Sequence, residues 1–212
     1  MLGANDGIVS TASLIVGIAA AEASKSTVLL GAFAGLVAGA MSMAAGEYVS
    51  VSSQADTEEA DLKLERDALE ENPEYELAEL TKIYMDRGCT RELAGQVARQ
   101  LMQHDALGAH ARDELGFTET HSARPIQAAL ASGAAFSVGA ALPTLLVLLF
   151  PQGYVAVGVG ATSLPLLSVL GWLSARAGGA APLRPMLRIT FWGAAAMLLT
   201  AGVGRLFGVS GL

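Results

Sequence analysis

The 212 residues include a single cysteine, Cys89, so no internal disulfide can form and a disulfide-stapled scaffold is excluded. Charge is also scarce. Asp, Glu, Lys and Arg make up 16% of the chain, against about 25% in an ordinary soluble domain. Bases are outnumbered 13 to 20, and a formal net charge of −7 argues against nucleic acid as a partner. There are three histidines, His104, His110 and His121. They are too sparse for the paired Glu-x-x-His ligands of a ferritin-like di-iron oxidase. No nucleophile–base motif is visible either, since Cys89 has no histidine near it in sequence, and an enzyme is not expected. What is abundant is apolar: 52% of residues are hydrophobic and the mean hydropathy is +0.47, which excludes a disordered chain.

The charge is unevenly placed. Residues 51–122 hold 17 acids and 7 bases, a net of −10, while the remainder holds 3 acids and 6 bases, a net of +3. The remainder contains five apolar stretches. Crossing a hydrocarbon core of roughly 30 Å takes about 20 apolar residues at 1.5 Å each. Residues 8–21 reach that length with the seven before them. Residues 28–46, 126–150 and 154–175 are free of charge, and 189–204 reach length with either flank. The first stretch lacks the basic region of a signal peptide and carries Asp6 there instead. Arg176, Arg184 and Arg188 fall in or beside one short loop. By the positive-inside tendency that loop is cytoplasmic, and with five spans the acidic insert shares its side. Gly31, Gly35 and Gly39 repeat every four residues and offer a flat stripe, either for packing within the chain or for a dimer face. Pro143 and Pro165 lie inside two spans and should kink them or free backbone carbonyls.

The expected fold is therefore an all-α membrane protein with five transmembrane helices and a three-helix cytoplasmic insert between spans 2 and 3. The division is 1–49 for spans 1 and 2, 50–122 for the insert, and 123–212 for spans 3 to 5. Within the insert one helix covers about 50–71. Asn72-Pro73 restarts a second over 74–87, with Leu77, Leu80, Ile83 and Tyr84 on one face and Gly88 as its stop. Thr90 caps a third over 91–115, with Leu93, Val97, Leu101 and Leu107 as its apolar positions. So thin an apolar stripe makes the insert marginal by itself.

Most of the insert's acids fit a solvated helix surface. Two pairs resist that reading. Glu76 and Glu79 stand at i, i+3, and His110 and Glu114 at i, i+4, so each pair projects from one helix face. Carboxylates with an imidazole suit Fe(II), Mn(II) or Zn(II) better than Mg(II). Near the membrane, Asp6 precedes one span and Glu47 ends another, with Met41 and Met43 just before it. Carboxylates at that depth are costly and usually face a polar path. Asp6, Met43 and Glu47 together offer hard and soft donors at one membrane face, and the thioether favours a transition metal.

The stretches LGANDGIVSTASLIVG and AGAMSMAAGEYVSVSSQADTE, followed by a helical acidic insert closing in DELG, resemble the vacuolar iron transporter family. The resemblance covers nearly the whole chain and suggests a bacterial member. It implies a homodimer in the cell inner membrane that exports Fe(II), and in some members Mn(II), from the cytosol in exchange for protons. No prosthetic group is implied; the metal is cargo. The family's intramembrane Asp falls on Asp6 and its Met on Met43, while Glu47 stands where plant members have Gly. In the insert the family's glutamates fall on Glu65, Glu76, Glu79 and Glu114. A further one falls on Ala68, with Asp61, Asp67 or Glu71 as the candidates to compensate for it, and two family methionines fall on His110 and Ala111. Members usually carry more residues before LGAND, so the first span is expected to be short at its cytoplasmic end, or the recorded start to be wrong. The rival reading is a membrane-anchored metal sensor or buffer that transports nothing.

Overall fold

A computed structural model describes residues 2–117 and 123–210; His121 lies outside them. Among the described residues the chain is all-helical, without a strand. The helices are α1 (Leu2–Ala20), α2 (Lys25–Glu71), α3 (Pro73–Asp86), α4 (Arg91–Asp113), α5 (Pro125–Leu149), α6 (Val155–Ala177) and α7 (Leu183–Ser210), with a 3-10 turn at Gln152–Tyr154. Five of them, α1, α2, α5, α6 and α7, are long and apolar enough to cross a membrane. The chain divides into two compact units, Met1–Tyr48 with Ile126–Leu212, and Val49–Pro125.

In the first unit α1 packs against α6 and α7, which also pack against each other. Its core gathers Ile8, Ala12 and Ile15 of α1, Val28 of α2, Val147 of α5 and Leu167 of α6, all at most 2% exposed. Backbones approach closely where the side chain is missing. A Cβ on Gly7 would collide with the carbonyl oxygen of Phe136, and one on Gly139 with that of Ala4, so α1 and α5 touch main chain to main chain. The Gly31, Gly35, Gly39 stripe works within the chain: it receives the side chains of Ile18, Leu14 and Phe136. The Lys25 ammonium donates to the carbonyls of Leu148 (3.1 Å) and Phe150 (3.0 Å), which closes the end of α5. Pro143 and Pro165 stay inside continuous helices. Each still removes one i→i−4 bond.

The second span and the first insert helix are one element, not two. Between Gly46 and Asn72 the sequence offers no proline or glycine, and Gly46 alone costs only about 1 kcal/mol of helix, so α2 runs unbroken to Glu71. Pro73 opens α3. Asn72 sits at the N-cap position but makes no side-chain cap; its carbonyl instead accepts from the Glu76 N–H at 3.2 Å. Gly88, at φ +99°, ends that helical stretch in a left-handed conformation that favours glycine. The Thr90 hydroxyl accepts from the Leu93 N–H and caps α4.

Helix α4 departs from expectation in two ways. Leu93 is 50% exposed, and the buried positions are Ala94, Gly95, Ala98, Ala109 and His110. Small residues let α3 and α4 approach closely, and Leu80 fills the space between them in a cluster with Ala98 and Ala109. The helix is also interrupted at Asp105, whose backbone is extended (φ −159°, ψ 91°). The Asp105 carboxylate accepts from the Gly108 N–H at 3.0 Å and so restarts the helix.

The α1–α5 contact generates a test. Gly139→Ala should destabilise the detergent-solubilised protein by about 1–3 kcal/mol, because a backbone carbonyl cannot rotate away from the new methyl. Gly202→Ala, where a Cβ meets nothing within 4 Å, should hold the melting temperature or raise it slightly, because Ala favours a helix interior over Gly by about 1 kcal/mol.

Candidate metal centre

The second unit brings four of the expected donors together. One ligand atom from each of Glu65, Glu76, His110 and Glu114 can be chosen so that all lie within 4.8 Å of one another. Helix α2 supplies Glu65, α3 supplies Glu76, and the restarted end of α4 supplies His110, with Glu114 directly after it. His110 is fully buried and forms the hub. Its Nδ1 stands 3.0 Å from Glu114 Oε2, 3.1 Å from Glu65 Oε1 and 3.8 Å from Glu76 Oε2. One ring nitrogen can serve only one acceptor well, and Glu114 takes that bond. Glu65 Oε1 and His110 Nε2 are then left buried without a hydrogen-bond partner among the described residues.

Burial is the main force on the two inner carboxylates. It pushes Glu65 above its ordinary pKa, and the charges of Glu114, Glu76 and Glu79 push the same way, against an opposing pull from His110. Glu76 is raised by burial too, and by Glu79 and Glu114, while His110 again opposes. Orphaned buried acceptors cost roughly 1–3 kcal/mol each. A divalent cation among the carboxylates would satisfy the Glu65 oxygen and offset the charge repulsion. Three carboxylates and one imidazole are an O/N set suited to Mn(II), Fe(II) or Zn(II).

Glu79 is half-buried and acts on its neighbours through its charge, but it is not one of the four. Asp61, Asp67 and Glu71, the candidates to compensate for Ala68, are not among them either. Sequence reading did not foresee the break at Asp105 that turns His110 and Glu114 toward Glu65. The available signal was an N-cap residue type, Asp105, three positions before Gly108.

In the first unit Asp6, Met43 and Glu47 line one cavity of about 470 Å3, formed by α1 and α2 with Phe136 of α5. Ser10, Thr11 and Ser42, which sequence reading did not single out, add hydroxyls to its wall. Asp6 and Glu47 are exposed in the single chain, and Met43 is half-buried. The cavity thus combines carboxylate, hydroxyl and thioether donors on apolar helices.

The model of the VIT family matches residues 1–205. The chain belongs to the VIT family. Among the similar proteins, "Vacuolar iron transporter" of Acanthamoeba castellanii is 47% identical over 207 residues, covering 97% of this chain and 76% of that protein. "Vacuolar iron transporter homolog 5" of Oryza sativa subsp. japonica is 39% identical and covers all of this chain and 80% of its own. "Vacuolar iron transporter homolog 4" of Arabidopsis thaliana is 35% identical, with 100% and 84% covered. These relatives are named as transporters and not as enzymes, in line with the reading from sequence.

The raised carboxylates of this VIT chain set a pH dependence. A group whose folded pKa exceeds its unfolded one keeps its stabilising contribution below the unfolded value and loses it as pH rises through the folded value. In EDTA the melting temperature should therefore fall as pH is raised from about 4.5 toward neutrality. Asp113 does not confound the window. Burial opposes its ionisation, yet hydrogen bonds from Arg87 and Tyr84 hold its pKa below the ordinary value, so its contribution changes only at lower pH. Differential scanning fluorimetry of the chain and of a Glu65→Gln, Glu76→Gln double variant checks this; the double variant should lose much of the downward slope.

Proposed function

We propose that this protein is a metal/proton antiporter that exports Fe(II), and also Mn(II), from the cytosol. The acidic unit is a cytoplasmic domain that captures a single ion on Glu65, Glu76, His110 and Glu114, with Glu79 adding negative potential beside it. The ion then passes to the cavity of Asp6, Met43 and Glu47, where protons from the far side compete for the carboxylates and release it. Binding at each carboxylate is weak enough for the ion to leave as well as enter. The observation that carries this reading is the four-donor cluster with its orphaned Glu65 oxygen, found in a chain whose VIT relatives are named iron transporters. The cytoplasmic placement, in the inner membrane of the cell, is supported by Arg176, Arg184 and Arg188 at the short α6–α7 connection.

The working unit in this reading is a homodimer. Asp6, Ser10, Ser42 and Glu47 are exposed in the single chain although their helices are apolar enough to span a membrane. Ionisable groups in a span normally face protein or water and not lipid, and a second copy laid over α1 and α2 would supply that cover. The detergent-corrected mass from light scattering should equal two chains.

Flux into proteoliposomes under an imposed pH gradient tests the transport step, with Fe(II), Mn(II), Co(II) and Zn(II) in turn. Uptake should follow the gradient, and Asp6→Ala should lower it at least about tenfold, the loss of roughly 1.4 kcal/mol of binding or more. Undiminished, gradient-independent flux in that variant removes Asp6 from the pathway. Intact metal binding with no flux in the parent chain points to a sensor or buffer instead.

A further inference from the structure

His110 and Glu114 belong to a short helical segment after Asp105, not to a long helix. Its start is fixed by the Asp105 carboxylate on the Gly108 N–H. A segment of about eight residues has little stability of its own, so its direction depends on what holds its other end. That end carries Asp113, whose side chain is 7% exposed. The Asp113 carboxylate accepts from the Tyr84 hydroxyl on α3 (2.8 Å to Oδ2), from Nη1 of Arg87, the residue that caps the end of α3 (2.6 Å to Oδ1), and from Arg112 Nη2 (3.3 Å). Arg87 Nη2 also donates to the Asp113 carbonyl at 3.3 Å, and the guanidinium lies 5.1 Å from the centre of the Tyr84 ring. Arg87 therefore grips both the side chain and the backbone of one residue, a two-point contact that fixes angle as well as distance.

Helix α3 meets this segment at three places. Glu76 faces His110, Leu80 clusters with Ala109, and Tyr84 with Arg87 hold Asp113. The middle contact is apolar and non-directional, so by itself it would let the segment swivel about Leu80. The Asp113 contact removes that freedom. A swivel moves His110 and Glu114 together, and a metal site tolerates little misplacement of its donors.

We propose that Asp113 is a positioning residue for the metal centre: held by Tyr84 and Arg87, it fixes the 106–113 segment on α3 so that His110 Nδ1 and Glu114 Oε2 face Glu65 and Glu76. The inference rests on the reading of that cluster as a metal site. Outer partners that orient metal ligands typically change affinity by about 10–100-fold when removed.

The test uses the full chain in detergent at low temperature, with the folded state of each variant checked by circular dichroism. Mn(II) affinity is read by electron paramagnetic resonance, and bound Co(II) by its visible absorption at saturation. Asp113→Asn should weaken Mn(II) binding about 10–100-fold and alter the Co(II) bands, since the donors no longer converge. Arg87→Lys, which keeps the charge but loses the two-point grip, should fall between parent and Asp113→Asn. A residue that merely stabilised the fold would lower the melting temperature yet leave the saturated Co(II) spectrum of the parent. Parent affinity and spectrum in Asp113→Asn therefore overturn the proposal while the metal-site reading stands. Absence of binding in the parent overturns both. If Asp113→Asn does not fold, Tyr84→Phe removes one of the clamp's hydrogen bonds and carries the same comparison, with parent values in it again overturning the clamp.

Discussion

Two buried carboxylates and a buried imidazole meet a third carboxylate, that of Glu114, which reaches solvent, and each charge buried there gives up hydration worth several kcal/mol. The acidic unit is arranged around that cost. Its apolar core is small, with Leu80, Ala98 and Ala109 at the centre, and offers little to offset the repulsion among Glu65, Glu76 and Glu114. Glu65 and Glu76 are driven toward their protonated forms, and one carboxylate oxygen and one imidazole nitrogen stay unpartnered. Such an arrangement is frustrated without a cation. A bound cation would convert the same contacts from repulsive to attractive, so occupancy and folding stability draw on one free energy.

The membrane-spanning unit faces the opposite constraint. Lipid tails are as apolar as leucine, so helices there gain nothing from hydrophobic burial and rely on close packing. Gly7 and Gly139 bring α1 and α5 into backbone contact, and Gly31, Gly35 and Gly39 receive side chains from α1 and α5. The outer face of α1 and α2 keeps Asp6, Ser10, Ser42 and Glu47 exposed beside Met43. The two candidate centres also differ in character. The one in the acidic unit is built from oxygen and nitrogen donors, while the cavity adds a thioether, a softer ligand. An ion held by the first would meet a different chemical selection at the second.

Much of this was legible in the chain. Charge-free stretches marked the five long apolar helices. Pro73, Gly88 and Thr90 marked helix boundaries in the acidic unit because each acts locally, through a fixed φ, a permitted positive φ or a side-chain cap. The spacing of His110 and Glu114 put them on one face, where they now hydrogen-bond. Other features were not legible. The junction after Gly46 reads as the end of a span because composition changes there, yet a change in polarity does not break a helix, and α2 continues. Leu93 was expected inside because it is large. Three alanines and a glycine took most of the buried positions because the distance between α3 and α4, which the sequence does not state, is short.

By itself the sequence determined which residues repel water, where helices must start and stop, and which acids share a face, since all of these depend on neighbours a few positions away. Only the tertiary structure decided which acids meet. Glu65, Glu76 and His110 come from three helices, and their convergence depends on how α4 is turned after Asp105 and where Asp113 is held. Glu79, three residues from Glu76 and chemically identical to it, is left beside the cluster and not in it. The physical reason is that a donor set is defined by directions and distances of a few ångströms, which are fixed by packing between helices and not by the order of residues along any one of them.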